Sequence, residues 1–164
     1  MKTLDPNDLH VDDLLLDVRN VQLLRLLRDD PRIGVSAMAR RIGMSAPAVR
    51  ERVQRLEEAG IIKGFRLEID PRALGYPIAI FIRVRPMPGS LTKIAELAAS
   101  LPGVVECHRI TGEDCFILKV HLDSLDNLDR LLDQFLMYGQ TTTSIVQSTP
   151  VAPRHLPLPG DVSV

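Results

Sequence analysis

The segment from residue 35 to residue 60, VSAMARRIGMSAPAVRERVQRLEEAG, most constrains what this chain can fold into. Apolar residues at helical spacing predict a short helix that ends at Gly43, followed by a longer helix that runs from Ser45 to Gly60. Ser45 suits the N-cap position, and Pro47 suits the first helical turn. Two helices joined by a tight, glycine-containing turn are typical of a helix-turn-helix unit.

The sequence on either side completes this unit. Upstream, DVRNVQLLRLLRDD predicts a first helix that is capped by Asp17 and stopped by Asp30-Pro31. Its apolar stripe is expected to contain Val21, Leu23, Leu24, Leu26 and Leu27. Downstream, IIKGFRLEID alternates apolar and polar residues around Lys63-Gly64 and predicts a small hairpin, the wing. Residues 16–70 are therefore predicted to form a winged helix-turn-helix domain.

Positive charge is concentrated here, although the whole chain has a net charge of −1. Residues 31–66 carry eight Lys or Arg and three acids, a local net charge of +5. Such a patch favours a DNA-reading module. Arg can hydrogen-bond guanine and Gln can hydrogen-bond adenine, while other basic side chains hold phosphates. The predicted DNA-binding residues are Ser45, Ala46, Pro47, Arg50, Arg52, Gln54 and Arg55 on the longer helix, with Arg40, Arg41 and Lys63 beside it.

An ordinary solvated helix face would carry the same charges, with pairs four residues apart such as Glu51 and Arg55. Taken alone, the basic helix fits both interpretations. The preceding short helix, the turn and the predicted wing favour DNA binding.

The pattern changes after residues 71–76, PRALGY, which are predicted to be a linker. Residues 77–150 show strand and helix periods in the order β-α-β-β-α-β, a ferredoxin-like unit. The predicted fold class is therefore α+β. Two helices cover one face of such a sheet, and strands such as 78–84 are expected to leave an apolar face that meets another subunit. Residues 1–15 are predicted to be an extension, and the Pro-rich residues 151–164 an extended or disordered tail.

Several classes of protein are not expected. No window approaches 18 uninterrupted apolar residues and no N-terminal hydrophobic run is present, so we expect a cytoplasmic protein without a membrane segment. Cys107 and Cys115 are expected to be reduced and buried. No histidines show metal-ligand spacing, and no cofactor is expected. A Cys/His nucleophile pair that includes His108 is conceivable, but buried cysteines and a strand histidine explain the pattern better.

Three motifs occur in the order and spacing of the Lrp/AsnC (feast/famine) transcription regulators: RIG…MARRIGMSAPAVRERVQRLEEAGIIKGF, IDPRALGYP and TGEDCFILKV. Residues 16–150 resemble that family. The resemblance implies a ligand-sensing C-terminal domain, an amino acid or related metabolite as effector, and dimers through the bare sheets, often assembled into octamers. The chain departs from the family pattern at Arg19, Asn20 and Gly34, and it shifts the acid of the family's Thr-Gly-x-Tyr-Asp loop by one position.

The resemblance favours TGED as the effector site, in a turn predicted to join two central strands. Backbone amides at Gly112 and Glu113 are suited to a carboxylate, and Asp114 is suited to an ammonium group. The predicted ligand-binding residues are Thr111, Gly112, Glu113 and Asp114. A plain hairpin turn with solvated acids is the alternative.

The predicted function is therefore a sequence-specific, double-stranded-DNA-binding transcriptional regulator, not an enzyme, whose C-terminal domain senses a small metabolite and drives oligomerisation. The alternative is a haem-pathway, siroheme-type decarboxylase of the same fold with a degenerate DNA-binding half. A stand-alone sensory module would explain only the C-terminal half and leaves the basic helix unused.

Overall fold

The computed structural model describes residues 15–161. Their contacts divide into two compact units, one made of residues 15–67 together with 153–161, and one made of Glu68–Ala152. The chain thus leaves the first unit and returns to it at its C-terminal end. The domain limits and the linker at 71–76 stay predictions, and the predicted N-terminal extension lies, apart from Leu15, outside the described residues.

The first unit contains three helices: α1 Val18–Asp29, α2 Val35–Ile42 and α3 Ala46–Glu58. The expected caps are formed. The Asp17 carboxylate accepts a hydrogen bond from the backbone N–H of Asn20 at 2.7 Å, and the Ser45 hydroxyl accepts one from Ala48 at 3.3 Å. Gly43 ends α2 with a φ of 67°, in the left-handed region that glycine tolerates. These caps fix the turn that connects α2 to α3.

The core of this unit gathers one face of each helix. Its buried residues are Leu23, Leu27, Met38, Ala39, Ile42 and Val49. Leu24 is only half-buried, so the inward stripe of α1 centres on Leu23 and Leu27.

The predicted hairpin around Lys63-Gly64 is not formed. Residues 63–70 contain neither helix nor strand. The backbone N–H groups of Ile61 and Ile62 both donate to the carbonyl of Leu56, at 2.9 and 3.0 Å. These bonds finish α3 and occupy the first arm of the expected hairpin. Alternating apolar and polar residues do not reveal this competing use of the backbone.

The second unit has the predicted β-α-β-β-α-β order. After a 3₁₀ turn at Pro71–Leu74, its elements are β1 Ile78–Pro86, α4 Leu91–Ser100, β2 Val104–Arg109, β3 Phe116–Leu122, α5 Asp126–Leu136 and β4 Gly139–Ile145. The strands form one antiparallel sheet in the order β2-β3-β1-β4. Within the described range, no helix is long and apolar enough to cross a membrane.

The helices cover the face of the sheet that contains Ile80, Ile82 and Val84, all of which are fully buried. Ile94 of α4 and Phe135 of α5 belong to the same core. The expectation of an apolar uncovered face is wrong in detail. That face is mixed, because strand alternation places Phe81, Arg83, Arg85, Ile117, Lys119 and His121 on it.

Candidate functional site

Three predicted DNA-contacting arginines are exposed and available. Arg50 lies on the outer side of α3, and Arg40 and Arg41 lie in the last turn of α2. Among residues 15–161, none of the three forms an ion pair or a side-chain hydrogen bond. Lys63 is also exposed, just after α3. Four positive charges without an ion-pair partner in the described part of the chain therefore lie on α2, α3 and the segment that follows, where an anion can reach them.

Arg52 is not free in the same way. Its guanidinium Nη1 lies 2.6 Å from the carboxylate of Asp17 and donates to the side-chain oxygen of Asn20 at 2.9 Å. Both partners belong to the start of α1. Arg52 therefore joins α3 to α1, and its predicted role at DNA competes with this internal role.

The other predicted side chains of α3 also have partners within the helix. Arg55 Nη2 lies 2.5 Å from Glu51 Oε1, and Gln54 donates to Glu58 at 2.8 Å. These are the four-residue pairs expected of a solvated face. Exposed pairs of this kind contribute little to stability, about 0.3–0.5 kcal/mol each, so a phosphate can replace the acid at small cost. Ser45, Ala46 and Pro47 form the exposed or half-exposed start of the helix.

Arg19 and Asn20 explain how α1 is attached to the rest of the first unit. The guanidinium of Arg19 donates to the carbonyl of Ile42, at the end of α2. Asn20 is only 4% exposed, and its amide also donates to the carbonyl of Leu15 at 3.0 Å. A polar residue on an apolar stripe, three residues before Leu23, is the sequence signal for this contact. We call Asp17, Arg19, Asn20 and Arg52 the α1 clamp.

Electrostatics supports the clamp. Partial desolvation acts to raise the pKa of Asp17, but the N–H of Asn20 and the guanidinium of Arg52 outweigh it and hold the pKa below the ordinary value. Asp17 is therefore charged at neutral pH and supplies the negative partner that Arg52 needs.

The predicted effector residues lie in the connection between β2 and β3. The backbone N–H of Ile110 donates to the carbonyl of Cys115 at 2.9 Å, and Gly112 has a φ of 110°. Because β2 is an edge strand, the loop does not join two central strands as expected. Thr111, Gly112 and Glu113 are exposed, while the side chain of Asp114 is 25% exposed.

Two arginines missed in the sequence face this loop from β1. Arg85 pairs with Glu113, and Arg83 and Arg85 lie 3.8 and 3.7 Å from the carboxylate of Asp114. Residues 83 and 85 share a side of β1, and the pairing of Val84 with Phe116 places them next to the loop. Two positive and two negative side chains therefore meet at the end of the sheet where the loop between β2 and β3 lies.

Two known protein families match this chain, one in its N-terminal part and one in its C-terminal part. The model of the Lrp/AsnC ligand binding domain matches residues 79–156, and the model of the winged helix-turn-helix DNA-binding domain matches residues 16–63. The HTH-type transcriptional regulator LrpC of Bacillus subtilis is 31% identical over 133 residues, which are 81% of this chain and 92% of LrpC. The chain belongs to the Lrp/AsnC family.

Other members of the Lrp/AsnC family are also similar to this chain in sequence or in structure. The leucine-responsive regulatory protein of Rhizobium meliloti is 38% identical over 113 residues, covering 67% of this chain and 72% of that protein. The structure of B. subtilis LrpC matches with a TM-score of 0.78 at 30% identity, over 84% of this chain and 99% of LrpC. A feast or famine regulatory protein from M. tuberculosis, complexed with L-methionine, matches with a TM-score of 0.76 at 28% identity, over 88% and 99%.

The fold class predicted from the sequence, a winged helix-turn-helix domain followed by an α+β ligand-binding domain, is thereby confirmed. The relatives are named as transcriptional regulators, so the Lrp/AsnC assignment supports a regulator and not the decarboxylase alternative. The roles of individual residues in DNA and effector binding stay predictions.

The cysteines of this Lrp/AsnC chain do not assemble a nucleophile. Cys107 and His108 are adjacent on β2 and therefore point to opposite sides of the strand. Cys107 lies opposite Leu118, whereas Cys115 precedes Phe116, the partner of Arg109. The cysteines are thus about three strand positions, roughly 10 Å, apart, too far for a disulfide. The expectation of buried cysteines is wrong, because Cys107 is exposed and Cys115 is only half-buried. Partial desolvation still raises the pKa of the Cys107 thiol, which disfavours the reactive thiolate.

Proposed function

We propose that the chain is a transcriptional regulator that reads a specific duplex DNA sequence with the start of α3. The observation that carries this proposal is the exposed Arg50, which has no partner among the described residues and lies on a capped helix in a helix-turn-helix. The first turns of such a helix enter the major groove, where an arginine can bind guanine in a bidentate manner.

The neighbouring charges suit the phosphate backbone. Arg40 and Arg41 end α2, which crosses the backbone in helix-turn-helix complexes, and Lys63 follows α3. Lysine or arginine contacts to phosphate set position but do not read sequence. Arg50 therefore contributes specificity, whereas Arg40, Arg41 and Lys63 contribute affinity for any duplex.

The test is selection from a random pool of duplexes by the full chain, followed by binding measurements on a selected and a scrambled duplex. We expect enrichment of a roughly palindromic site, because a two-fold dimer presents two reading helices. A pool that stays random through selection would remove the proposal of sequence-specific reading.

We further propose that an amino acid or related metabolite binds at the loop of residues 111–114. The two arginines and two acids balance in charge and suit a zwitterion, whose carboxylate would meet Arg83 or Arg85 and whose ammonium would meet Asp114. The L-methionine complex of the M. tuberculosis relative supports an amino acid as the ligand class.

Calorimetry with the twenty common amino acids tests the effector site. We expect at least one of them to bind the wild type, and Asp114→Ala to weaken it. Asp133→Ala is the matched control, because Asp133 is an exposed acid on α5. The site is wrong if no amino acid binds, or if a ligand binds Asp114→Ala and the wild type equally well.

We propose assembly through the uncovered face of the sheet, at least to a dimer and, by resemblance, to an octamer. Phe81 is 37% exposed on that face, which the helices leave open. An exposed aromatic ring amid a polar rim is a common interface anchor. Light scattering should find no folded monomer at micromolar concentration, and Phe81→Asp should shift the particle toward monomer. A wild-type monomer would contradict this proposal.

A further inference from the structure

The described part of the chain that follows the second unit is an arm, residues 153–161, that belongs to the first unit. Three prolines, Pro153, Pro157 and Pro159, stiffen this arm. Its tip is a closed turn. The backbone N–H of Asp161 donates to the carbonyl of Leu158 at 2.9 Å, and the backbone N–H of Leu158 donates to the Asp161 carboxylate at 3.1 Å.

The tip of the arm is bound to α1. Arg25 Nε lies 2.7 Å from one carboxylate oxygen of Asp161, and Arg28 Nη1 lies 2.5 Å from the other. Arg25 also donates through Nη2 to the carbonyl of Pro159 at 2.7 Å. Residues 25 and 28 are neighbours on one side of the helix, so a single carboxylate can accept from both guanidinium groups.

This contact is partly withdrawn from water. The side chain of Asp161 is 19% exposed, and the side chains of Arg25 and Arg28 are 34% and 27% exposed. Leu158 of the arm is half-buried. The guanidinium groups of Arg28 and Arg25 lower the pKa of Asp161 to about 2, so the carboxylate is charged throughout the physiological range.

The bound tip lies outside the region that the family models match, which ends at residue 156. The structure of B. subtilis LrpC is matched over 99% of its length but covers only 84% of this chain. Family membership therefore does not account for residues 157–161, and their contact with α1 requires its own explanation.

We propose that residues 153–161 are a clasp that fastens the C-terminal end of the chain to α1 of the DNA-binding unit of the same copy. Glu68–Ala152, the ligand-binding unit, is then tied to the DNA-binding unit at both of its ends, through the chain at Leu67 and through Asp161. A second tie limits how far the two units can move independently. The expectation that the clasp also affects the effector response rests on the proposed function, whereas the clasp itself does not.

Hydrogen exchange on the full chain tests the clasp at the amides of Leu158 and Asp161. We expect slow exchange in the wild type and a several-fold acceleration in Asp161→Asn and in the double variant Arg25→Ala/Arg28→Ala, since each removes one side of the contact. Asp133→Asn, which removes an exposed acid of α5, should exchange like the wild type. The proposal is overturned if these two amides exchange freely in the wild type. It is also overturned if they are protected as strongly in Asp161→Asn as in the wild type.

Mixing the two variants shows whether the clasp forms within one copy of the chain or between two copies. Asp161→Asn retains the arginines and Arg25→Ala/Arg28→Ala retains the aspartate, so a clasp between copies would re-form in the mixture. A clasp within one copy cannot re-form, because each copy lacks one side of the contact. We expect the mixture to remain unprotected, and recovery of protection would contradict a clasp within one chain.

The same variants separate the clasp from the effector proposal. DNA affinity is measured with and without L-methionine as the probe, and a different response of Asp161→Asn and wild type would support coupling through the clasp. Equal responses would remove the coupling but leave a clasp shown by exchange. A wild type that binds none of the twenty amino acids would remove the effector proposal, and the exchange data would still decide the clasp.

Discussion

Arg50 and Arg52 lie two positions apart on α3 and have different surroundings. Arg50 has no ion pair among the described residues, whereas Arg52 is held by Asp17 and Asn20 of α1. We expect Arg50→Ala to cost about 1–3 kcal/mol of binding to a selected duplex and to relax base preference at one position. Lys63→Ala should weaken selected and scrambled duplexes alike. Titrations on both duplexes check this, and Arg50→Ala without effect would favour the solvated-face interpretation.

Arg52→Ala should act first on stability. It leaves the buried Asn20 and the carboxylate of Asp17 without their shared donor, and we expect a loss of about 1–2 kcal/mol in the free energy of unfolding, given the partial exposure of the pair. Arg52→Lys should recover part of this loss. The matched control is Arg55→Ala, which breaks only an exposed pair. Denaturant unfolding checks the three variants, and equal stability of Arg52→Ala and wild type would contradict the clamp.

The clamp also predicts a pH dependence. The folded pKa of Asp17 lies below its ordinary value of 3.8, so its stabilising contribution is full above that value and is lost as pH falls through the folded pKa. The stability difference between wild type and Asp17→Asn should therefore be constant near neutral pH and shrink below about pH 4. A difference that stays constant down to pH ~2 would show that ionised Asp17 does not contribute.

At the scale of elements, α2 is the shortest of the three helices in the first unit. It has eight residues, and its N-cap is Gly34, which makes no side-chain capping bond, whereas Asp17 and Ser45 cap their helices. We expect Gly34→Ser to raise the free energy of unfolding by about 0.3 kcal/mol, because the hydroxyl supplies the missing acceptor. A Cβ at residue 34 meets no atom within 4 Å, so space does not oppose the change. Thermal unfolding measures it, and a lower midpoint would contradict the capping argument.

β4 depends on a close approach of two strands. It begins at Gly139 opposite Pro86, and a Cβ at residue 139 would collide with the carbonyl of Arg85. Gly139→Ala should therefore destabilise the second unit by about 1–3 kcal/mol, measured by denaturant unfolding. Stability equal to that of the wild type would mean that β4 can shift without cost.

The sequence predicted the elements whose determinants are local. Caps at Asp17 and Ser45, the stop at Gly43 and the β-α-β-β-α-β order all follow from spacing and capping chemistry. The predicted hairpin failed because the amides of Ile61 and Ile62 bind Leu56, which local alternation does not show. The arginines near the effector loop were missed because the pairing of β1 with β3, not the distance along the chain, brings them there.

At the scale of the whole molecule, segments that are far apart in the sequence belong to the same compact unit. The first unit is completed by residues 153–161, which the sequence presented only as a Pro-rich tail. Proline spacing showed that this segment cannot continue a helix, but the partners of Asp161 are more than 130 positions away along the chain. Such long-range ion pairs cannot be read from periodicity.

The central claim is that the chain reads duplex DNA by combining base contacts with phosphate contacts, and a salt titration tests it most directly. The full chain is titrated with a selected and a scrambled duplex over a range of salt concentrations. We predict that the logarithm of the binding constant falls linearly with the logarithm of salt concentration for both duplexes, because phosphate contacts release counterions. The selected duplex should bind more tightly at every salt concentration. Equal affinity for the two duplexes at low and high salt would contradict the account.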